Sequence, residues 1–185
     1  MNAAAIVERF RRHGVRCDRG LTTEEFRQIE TLYGLRFPPD LRELLTHALP
    51  AGEGFPEWRN FSVNNQVRIH SRLRAPLEGI LFDIRQNAFW YEGWGERPRE
   101  TEAAAARAVR EYARVPRLIP IYSHRYMPES PHEAGNPVFS VHQTDIIYYG
   151  ADLDEYFGIE FREKEYAEMN AERIKPIAFW KDLAS

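Results

Sequence analysis

The stretch LTTEEFRQIETLYGLRFPPDLRELLTHAL, residues 21–49, constrains the fold of this chain more strongly than any other part of its sequence. Thr22 and Glu25 stand at the spacing of a capping box, in which each side chain satisfies a backbone N–H at the start of a helix. Gly34 is a natural end for that helix, because glycine accepts the left-handed backbone of a C-cap. The Pro-Pro pair that follows begins a second helix, whose apolar residues recur at helical spacing as far as Leu49. We therefore predict two amphipathic helices joined by a short turn.

The rest of the chain mixes predicted strands with further helices. Alternating or short apolar runs predict strands at residues 79–84, 118–122, 137–141 and 145–150, with 88–91 as a hairpin partner of the first. Apolar residues at helical spacing predict helices at residues 3–10, 65–74, 100–114 and 153–161. Pro120 cannot donate to a ladder, so its strand belongs at an edge, and residues 15–20 read as a linker. Hairpins with segregated helices predict an α+β fold, with an antiparallel or mixed sheet backed by the N-terminal helices.

Length and composition favour one globular domain, or one domain with a helical appendage. The 185 residues are 43% apolar, which is enough to form a hydrophobic core without disulfide bonds. Cys17 is the single cysteine, which excludes an intramolecular disulfide and argues against a thiolate zinc site. The N-terminal apolar run of about five residues is too short for a signal peptide, and no stretch approaches a membrane span. We expect a cytoplasmic protein that does not associate with a membrane.

Charge is unevenly placed along the chain, whose net charge is −3. Residues 151–172 contain eight acidic and two basic side chains, and we expect Asp152, Asp154 and Glu155 to contact a partner there. Such a surface repels the phosphates of nucleic acid and suits a basic protein. A solvated helix face without any partner is the alternative, because charge runs are usually solvated.

Half of the histidines lie between residues 123 and 150 and raise the question of a metal site. His124, His132, His142 and Asp145 supply enough ligands for zinc or non-haem iron. Their separations match no compact metal-binding signature, and His142 and Asp145 flank a predicted hairpin turn. We favour turn and loop roles for these residues and therefore expect no metal and no cofactor.

The sequence SHRYMP follows a predicted strand and offers a second candidate contact. Arg125 can bind a carboxylate with two parallel hydrogen bonds, Tyr126 offers a flat surface beside it, and His124 adds a polar group. The alternative is structural: Arg125 forms an internal ion pair and Tyr126 packs on the sheet.

The sequence FWYEGWGERP brings Trp90, Tyr91 and Trp94 into a glycine-containing turn. Large aromatic side chains in a loop can anchor a protein interface. They serve equally well as a lid over a sheet edge. Both interpretations stay open from the sequence.

No pattern in the chain indicates catalysis. The serines lack a nucleophile-elbow context, Cys17 has no base beside it in sequence, and no glycine-rich phosphate loop is present. Two of the carboxylates of Asp83, Glu92 and Glu96 could act as a catalytic pair, but a chain with 28 acidic residues offers many such pairs by chance. We therefore expect a protein that is not an enzyme.

Together these segments resemble the SUKH superfamily, which is named for the Smi/Knr cell-wall regulators of yeast. The resemblance spans residues 21–161, and the loops at 89–98 and 121–137 are longer than in the minimal domain. Its motifs are a capped helix, a glycine turn, a leucine-rich helix, a strand centred on proline, a Pro-Val strand and an amphipathic helix. The capped helix start is residues 22–25, and the glycine turn comprises Glu30, Gly34 and the Phe37-Pro38 pair. The leucine-rich helix is residues 41–45, the strand centred on proline is 119–121, the Pro-Val strand begins at Pro137-Val138, and the amphipathic helix is 153–161.

The resemblance implies one α+β domain at residues 21–185, ending in a helix, with residues 1–20 as a helical extension. In bacteria such domains are mostly immunity proteins, which bind and neutralise a toxin of a polymorphic toxin system, often a nuclease. It implies no catalytic residue.

The leading hypothesis is therefore a protein-binding domain of immunity type with a basic toxin as its partner. Reversing the charges of Asp154 and Glu155 is expected to weaken that complex without loss of stability. A scaffold with several partners and a metal-dependent enzyme remain alternatives.

Overall fold

The structure is a computed structural model that describes residues 2–184. Its helices are α1 (Ala3–Arg12), α2 (Thr23–Tyr33), α3 (Pro39–His47), α4 (Val63–Gln86), α5 (Thr101–Tyr112), α6 (Leu153–Glu160) and α7 (Trp180–Leu183). Its strands are β1 (Arg16–Arg19), β2 (Ala48–Ala51), β3 (Leu118–Tyr122), β4 (Arg125–Pro128), β5 (Val138–His142) and β6 (Asp145–Gly150). The 3-10 helices of this part of the chain span Glu92–Trp94, Tyr166–Glu168 and Ala171–Arg173. The predicted α+β class is confirmed.

The two helices predicted from residues 21–49 form for the expected local reasons. The Thr22 hydroxyl accepts from the Glu25 amide at 3.2 Å, and the Thr22 amide donates to the Glu25 carboxylate at 2.8 Å. Gly34 ends α2 with a φ of 60°, which glycine adopts without a Cβ clash. Pro39 is the first residue of α3. The prediction is wrong only at its end, because Leu49 lies in β2.

The strand predicted at residues 79–84 is wrong, because this segment is the last part of the 24-residue helix α4. Ile80, Leu81 and Ile84 are buried, whereas Phe82 is 47% exposed, which is a helical pattern of burial. Pro76 lies inside this helix and did not end it. The hairpin partner predicted at residues 88–91 is therefore also absent, and these residues lead into a 3-10 helix.

Residues 15–20, predicted to be a linker, contain a strand. β1 pairs with β2 in an antiparallel ladder that runs from Arg16 opposite Ala51 to Arg19 opposite Ala48. The partners are about thirty residues apart in sequence, so no local pattern in either segment reveals the pairing.

The main sheet has four antiparallel strands in the order β3-β4-β5-β6. The predicted hairpin of β5 and β6 is confirmed, and β4 is a strand that the sequence did not predict. Pro120 lies on β3, an edge strand as expected. On the opposite edge, Ile146 of β6 forms a parallel bridge with Ala184, just after α7.

The sheet separates two hydrophobic clusters. The first contains Phe10 of α1 and Ile119 of β3, together with buried side chains of α2, α3 and α6. The second contains Leu118 of β3, Ile80 of α4 and Trp180 of α7, together with the alanines of α5. Helix α1, predicted as an extension, thus packs into the first cluster. Among residues 2–184, no helix is both long enough and apolar enough to span a membrane.

Gly79→Ala should destabilise the domain, although alanine favours a helix more than glycine does. A Cβ at residue 79 would lie 2.7 Å from the Cα of Gln143, so α4 and the β5–β6 turn would have to separate. We expect a net loss of about 1–2 kcal/mol in the free energy of unfolding, measured with urea. The matched control is Gly158→Ala in α6, where the nearest atom to a new Cβ lies at 3.7 Å. It should be neutral or slightly stabilising, and equal losses at both sites would contradict the packing argument.

Candidate functional site

The predicted aromatic turn lies against the second core cluster. The Trp94 ring is 7% exposed and stacks on Phe179, with ring centroids 5.5 Å apart. Trp90 donates its indole N–H to a backbone carbonyl within the turn at 2.7 Å. The Tyr91 hydroxyl donates to Asp182 at 2.6 Å, a hydrogen bond that raises the pKa of the phenol. These contacts are those of a lid, and a partner contact by Trp90 or Tyr91 stays a prediction.

Arg125 makes internal contacts with three neighbouring elements. Its Nε lies 3.2 Å from the Glu160 carboxylate, and its Nη1 donates to the Ser140 hydroxyl at 2.9 Å. The guanidinium lies 3.8 Å from the ring centroid of Tyr149, a cation–π distance. Only 11% of the Arg125 side chain is exposed, so little of it is available to a partner.

Tyr126 satisfies a backbone group that Pro76 leaves without a donor. In a regular helix the carbonyl of Arg72 would accept from the N–H of residue 76, and proline has none. The Tyr126 hydroxyl donates to this carbonyl at 3.1 Å and joins β4 to α4. Tyr126 is buried and has a structural contact here, and burial raises the pKa of its phenol.

Glu155 is a buried acceptor rather than a surface charge. Its carboxylate accepts from Lys164 Nζ at 2.6 Å and from the amides of Ala151 and Asn170 at 2.9 and 3.1 Å. Burial alone would raise the pKa of Glu155, but these hydrogen bonds hold it below its ordinary value. Reversing this charge should therefore cost stability, which corrects the expectation drawn from the sequence.

The other carboxylates near α6 are also engaged within the domain. Asp152 caps α6 and pairs with Arg173, and Asp154 pairs with Arg9 of α1 at 2.9 Å. Five of the eight carboxylates between residues 151 and 172 are bound in ion pairs, namely Asp152, Asp154, Glu155, Glu160 and Glu163. Less negative charge is therefore free for a partner than the sequence suggested.

A groove crosses one face of the domain as three adjoining cavities. The first, of about 470 Å³, lies between β1, the loop after β2 and the end of α6. The second, of about 610 Å³, lies between that loop, the β1–β2 ladder and the start of α4. The third, of about 500 Å³, lies between α4 and the β3–β4 and β5–β6 turns. Glu53 borders the first two cavities, and Arg72 borders the second and third.

The first cavity has an aromatic lining. Phe55, Tyr122, Phe157 and Phe161 border it, and the Phe55 and Tyr122 ring centroids are 4.7 Å apart. Its volume falls within the range of about 300–1,000 Å³ that is usual for ligand pockets. An apolar or aromatic side chain of a partner would bury its surface there.

Charged side chains of both signs border the first two cavities. Within residues 2–184, Arg16, Asp18, Glu53 and Arg68 have neither an ion pair nor a side-chain hydrogen bond. Their charges are available to a molecule in the groove.

Arg59 also borders the second cavity, but its charge is already bound. Its Nε lies 2.7 Å from the Glu25 carboxylate. The hydrogen bond from Arg59 is the largest of several effects that lower the pKa of Glu25 to about 2. Arg59 therefore ties the loop after β2 to the start of α2.

The histidines proposed as metal ligands do not converge. His124 and His142 border the third cavity, whereas His132 lies in the exposed loop between β4 and β5. In the part of the chain that the structure describes, no group of three or more His, Cys, Asp or Glu side chains could hold a metal ion. Burial lowers the pKa of His124.

Comparison of the chain with protein-family models, with curated proteins and with solved structures gave no match.

The groove was not predicted from the sequence. Its central loop, AGEGFPEWRN, reads only as a loop from its glycine and proline content. Arg68 and Arg72 are four residues apart and so share one face of α4, which was the one available signal. The opposite wall comes from β1, a strand that no local pattern predicts.

Glu155→Gln should lower the free energy of unfolding at neutral pH. The glutamine amide cannot form the ion pair with Lys164, and its N–H group faces other donors. We expect a loss of about 2 kcal/mol, which is limited because Lys164 is partly exposed to solvent. The pKa of Glu155 is lower in the folded state than in the unfolded state. Such a carboxyl stabilises the folded state at pH values above its unfolded pKa, and this contribution is lost as the pH falls through its folded pKa. The difference from wild type should therefore be complete at pH 7 and shrink below about pH 4. Urea unfolding across pH measures it.

Glu172→Gln is the matched control, since Glu172 is exposed and forms no ion pair among residues 2–184. Its unfolding free energy should match that of wild type. A loss for Glu155→Gln that persists unchanged in acid would contradict the proposed role of the carboxylate.

Tyr126→Phe should destabilise by about 1–2 kcal/mol, because the Arg72 carbonyl then has no donor. Pro76→Ala supplies a backbone N–H to the same carbonyl, so Tyr126→Phe should cost much less in that background. A double-mutant cycle by urea unfolding measures this coupling. Tyr148→Phe, whose hydroxyl has no hydrogen bond among the described residues, is the control and should be neutral. Additive effects of the Tyr126 and Pro76 changes would disprove the compensation.

Proposed function

We propose that this chain is a non-catalytic protein-binding domain of SUKH type that acts as an immunity protein. In this role it would bind one bacterial toxin in the cytoplasm and block its active surface. The α+β class and the antiparallel sheet backed by helices support the proposal, because the resemblance implies that fold class. The resemblance itself rests on the motifs within residues 21–161.

The groove is the observation that carries the proposal. Three adjoining cavities provide a continuous concave surface that would receive a segment of a partner polypeptide. Buried aromatic and arginine side chains dominate the energetics of protein interfaces, and both types border this groove. Phe55 and Tyr122 would receive an apolar anchor, while Arg68 would contact the surrounding polar rim.

The charges in the groove would select the partner. Arg16 and Arg68 attract acidic groups, and Asp18 and Glu53 attract basic groups, so the complementary surface carries both signs. Charge pairs of this kind contribute more to association rate and selectivity than to affinity. The basic toxin expected from the sequence remains a proposal, and it would meet Asp18 and Glu53 rather than Glu155.

A capture experiment tests the groove as the binding surface. The tagged chain is expressed in its native host, and captured proteins are identified by mass spectrometry at low salt and then at rising salt. One predominant partner near one-to-one stoichiometry is expected. The variant Glu53→Lys with Arg68→Glu should lose at least about tenfold in affinity for it, because two charge pairs are reversed.

The matched control is Glu43→Lys with Arg110→Glu, which makes the same charge changes at exposed sites outside the groove. This variant should retain the partner. Equal retention by both variants would reject the groove, and several unrelated partners would favour a scaffold. Immunity itself requires that the captured protein arrest growth when expressed alone and not when co-expressed with this chain.

A further inference from the structure

The third cavity contains an arginine whose charge is not neutralised by a carboxylate. Arg72 is half-buried, and it donates to the carbonyls of Gly54 and Ser123 at 3.0 and 2.8 Å. Among residues 2–184 it forms no ion pair. A guanidinium has five N–H donors, so these two bonds leave further donors for another acceptor. Removing a cation from water without a counter-ion is costly, and an anion beside Arg72 would offset that cost.

Two histidines and two turns complete the lining of this cavity. His124 follows Ser123 in the β3–β4 turn, and His142 precedes Gln143 in the β5–β6 turn. Ser123 and Gln143 have φ angles of 46° and 56°, a left-handed backbone that is uncommon for residues other than glycine. Each is the first residue of a two-residue hairpin turn, which requires a positive φ at that position, so the turns hold the two histidines at fixed places beside the cavity.

Two carboxylates on elements beside this cavity are occupied elsewhere, and Asp145, at the end of the β5–β6 turn, is exposed and does not line the cavity. Asp83 is buried and accepts from the amide and hydroxyl of Thr144 at 2.9 and 2.6 Å, behind the β5–β6 turn. Glu160 pairs with Arg125. Of the residues that the structure describes, those lining the third cavity include no aspartate or glutamate. The lining is therefore cationic or neutral throughout.

We propose that the third cavity is a binding site for an oxyanion, either a sulfate- or phosphate-like group or a carboxylate. Arg72 provides the fixed charge, and His142 provides a hydrogen-bond donor from the β5–β6 turn. Both ring nitrogens of His124 are engaged by Ser123 and Arg125, so His124 borders the site without donating to it. The volume of about 500 Å³ exceeds that of a single small ion, so the anionic group would be part of a larger molecule or would bind with water. This site goes beyond the proposed function and does not depend on it.

The anionic group could be free in solution or carried on a polypeptide. Both forms present the same oxygen acceptors to Arg72, so the two sources are separated by experiment. A free oxyanion would need no partner. A carboxylate on a polypeptide would enter along the groove, since Arg72 also borders the second cavity.

Sulfate titration monitored by imidazole ¹H–¹³C spectra tests the site. Sulfate keeps its charge near neutral pH, and sodium chloride holds the ionic strength constant. The signals of His124 and His142 should shift along a saturating curve, whereas those of His47 and His132, outside the cavity, should not. A peptide with one glutamate and blocked termini is then tested as a competitor.

His142→Ala should weaken sulfate binding by about tenfold through the loss of a charge-assisted donor. His142 is exposed and makes no side-chain hydrogen bond among residues 2–184, so the variant should fold. His132→Ala is the matched control and should bind like wild type. Competition by the peptide identifies a polypeptide carboxylate as the ligand, and sulfate binding without competition identifies a free oxyanion. Shifts that do not saturate, or that are equal in all four histidines, would overturn the proposal.

Discussion

The hydrogen bond from the Tyr126 hydroxyl to the Arg72 carbonyl fixes the position of α4 against the main sheet. Pro76 makes this bond necessary, because it removes the backbone donor that would normally serve that carbonyl. Gly79 and Asp83, one and two turns further along, hold the same helix on the β5–β6 turn. The second and third cavities lie along this helix, so the shape of the groove follows from how α4 is attached.

Acidic side chains in this domain serve mainly to join distant segments. Asp154 and Glu163 bind Arg9 and so attach α1 to the end of α6. Glu155 holds the segment after α6 through Lys164. Because of such pairs, five of the eight carboxylates in residues 151–172 are neutralised within the domain. Composition counts the charges, but only the fold shows which of them face solvent.

Features specified by local chemistry could be predicted from the sequence, and features specified by distant contacts could not. The capping box at Thr22 and the edge position of Pro120 depend on nearby residues, and both were predicted correctly. The strand expected at residues 79–84 is helical because Ile80 and Ile84 pack on the sheet, a tertiary effect that alternation cannot show. The groove was missed for the same reason, since β1 and α4 meet there only after folding. Of the predicted contact residues, His124 and Tyr126 border it, both at the third cavity.

Both outer strands of the main sheet are obstructed. Pro120 interrupts the row of donors on β3, and Ala184 occupies part of the outer edge of β6 through its bridge to Ile146. An uncovered edge can pair with a strand of another molecule, which leads to ordered dimers or to aggregation. Partners are therefore not expected to bind this domain by adding a strand to its sheet. Loss of Ala184 would uncover this part of the β6 edge and open it to pairing with a strand of another molecule.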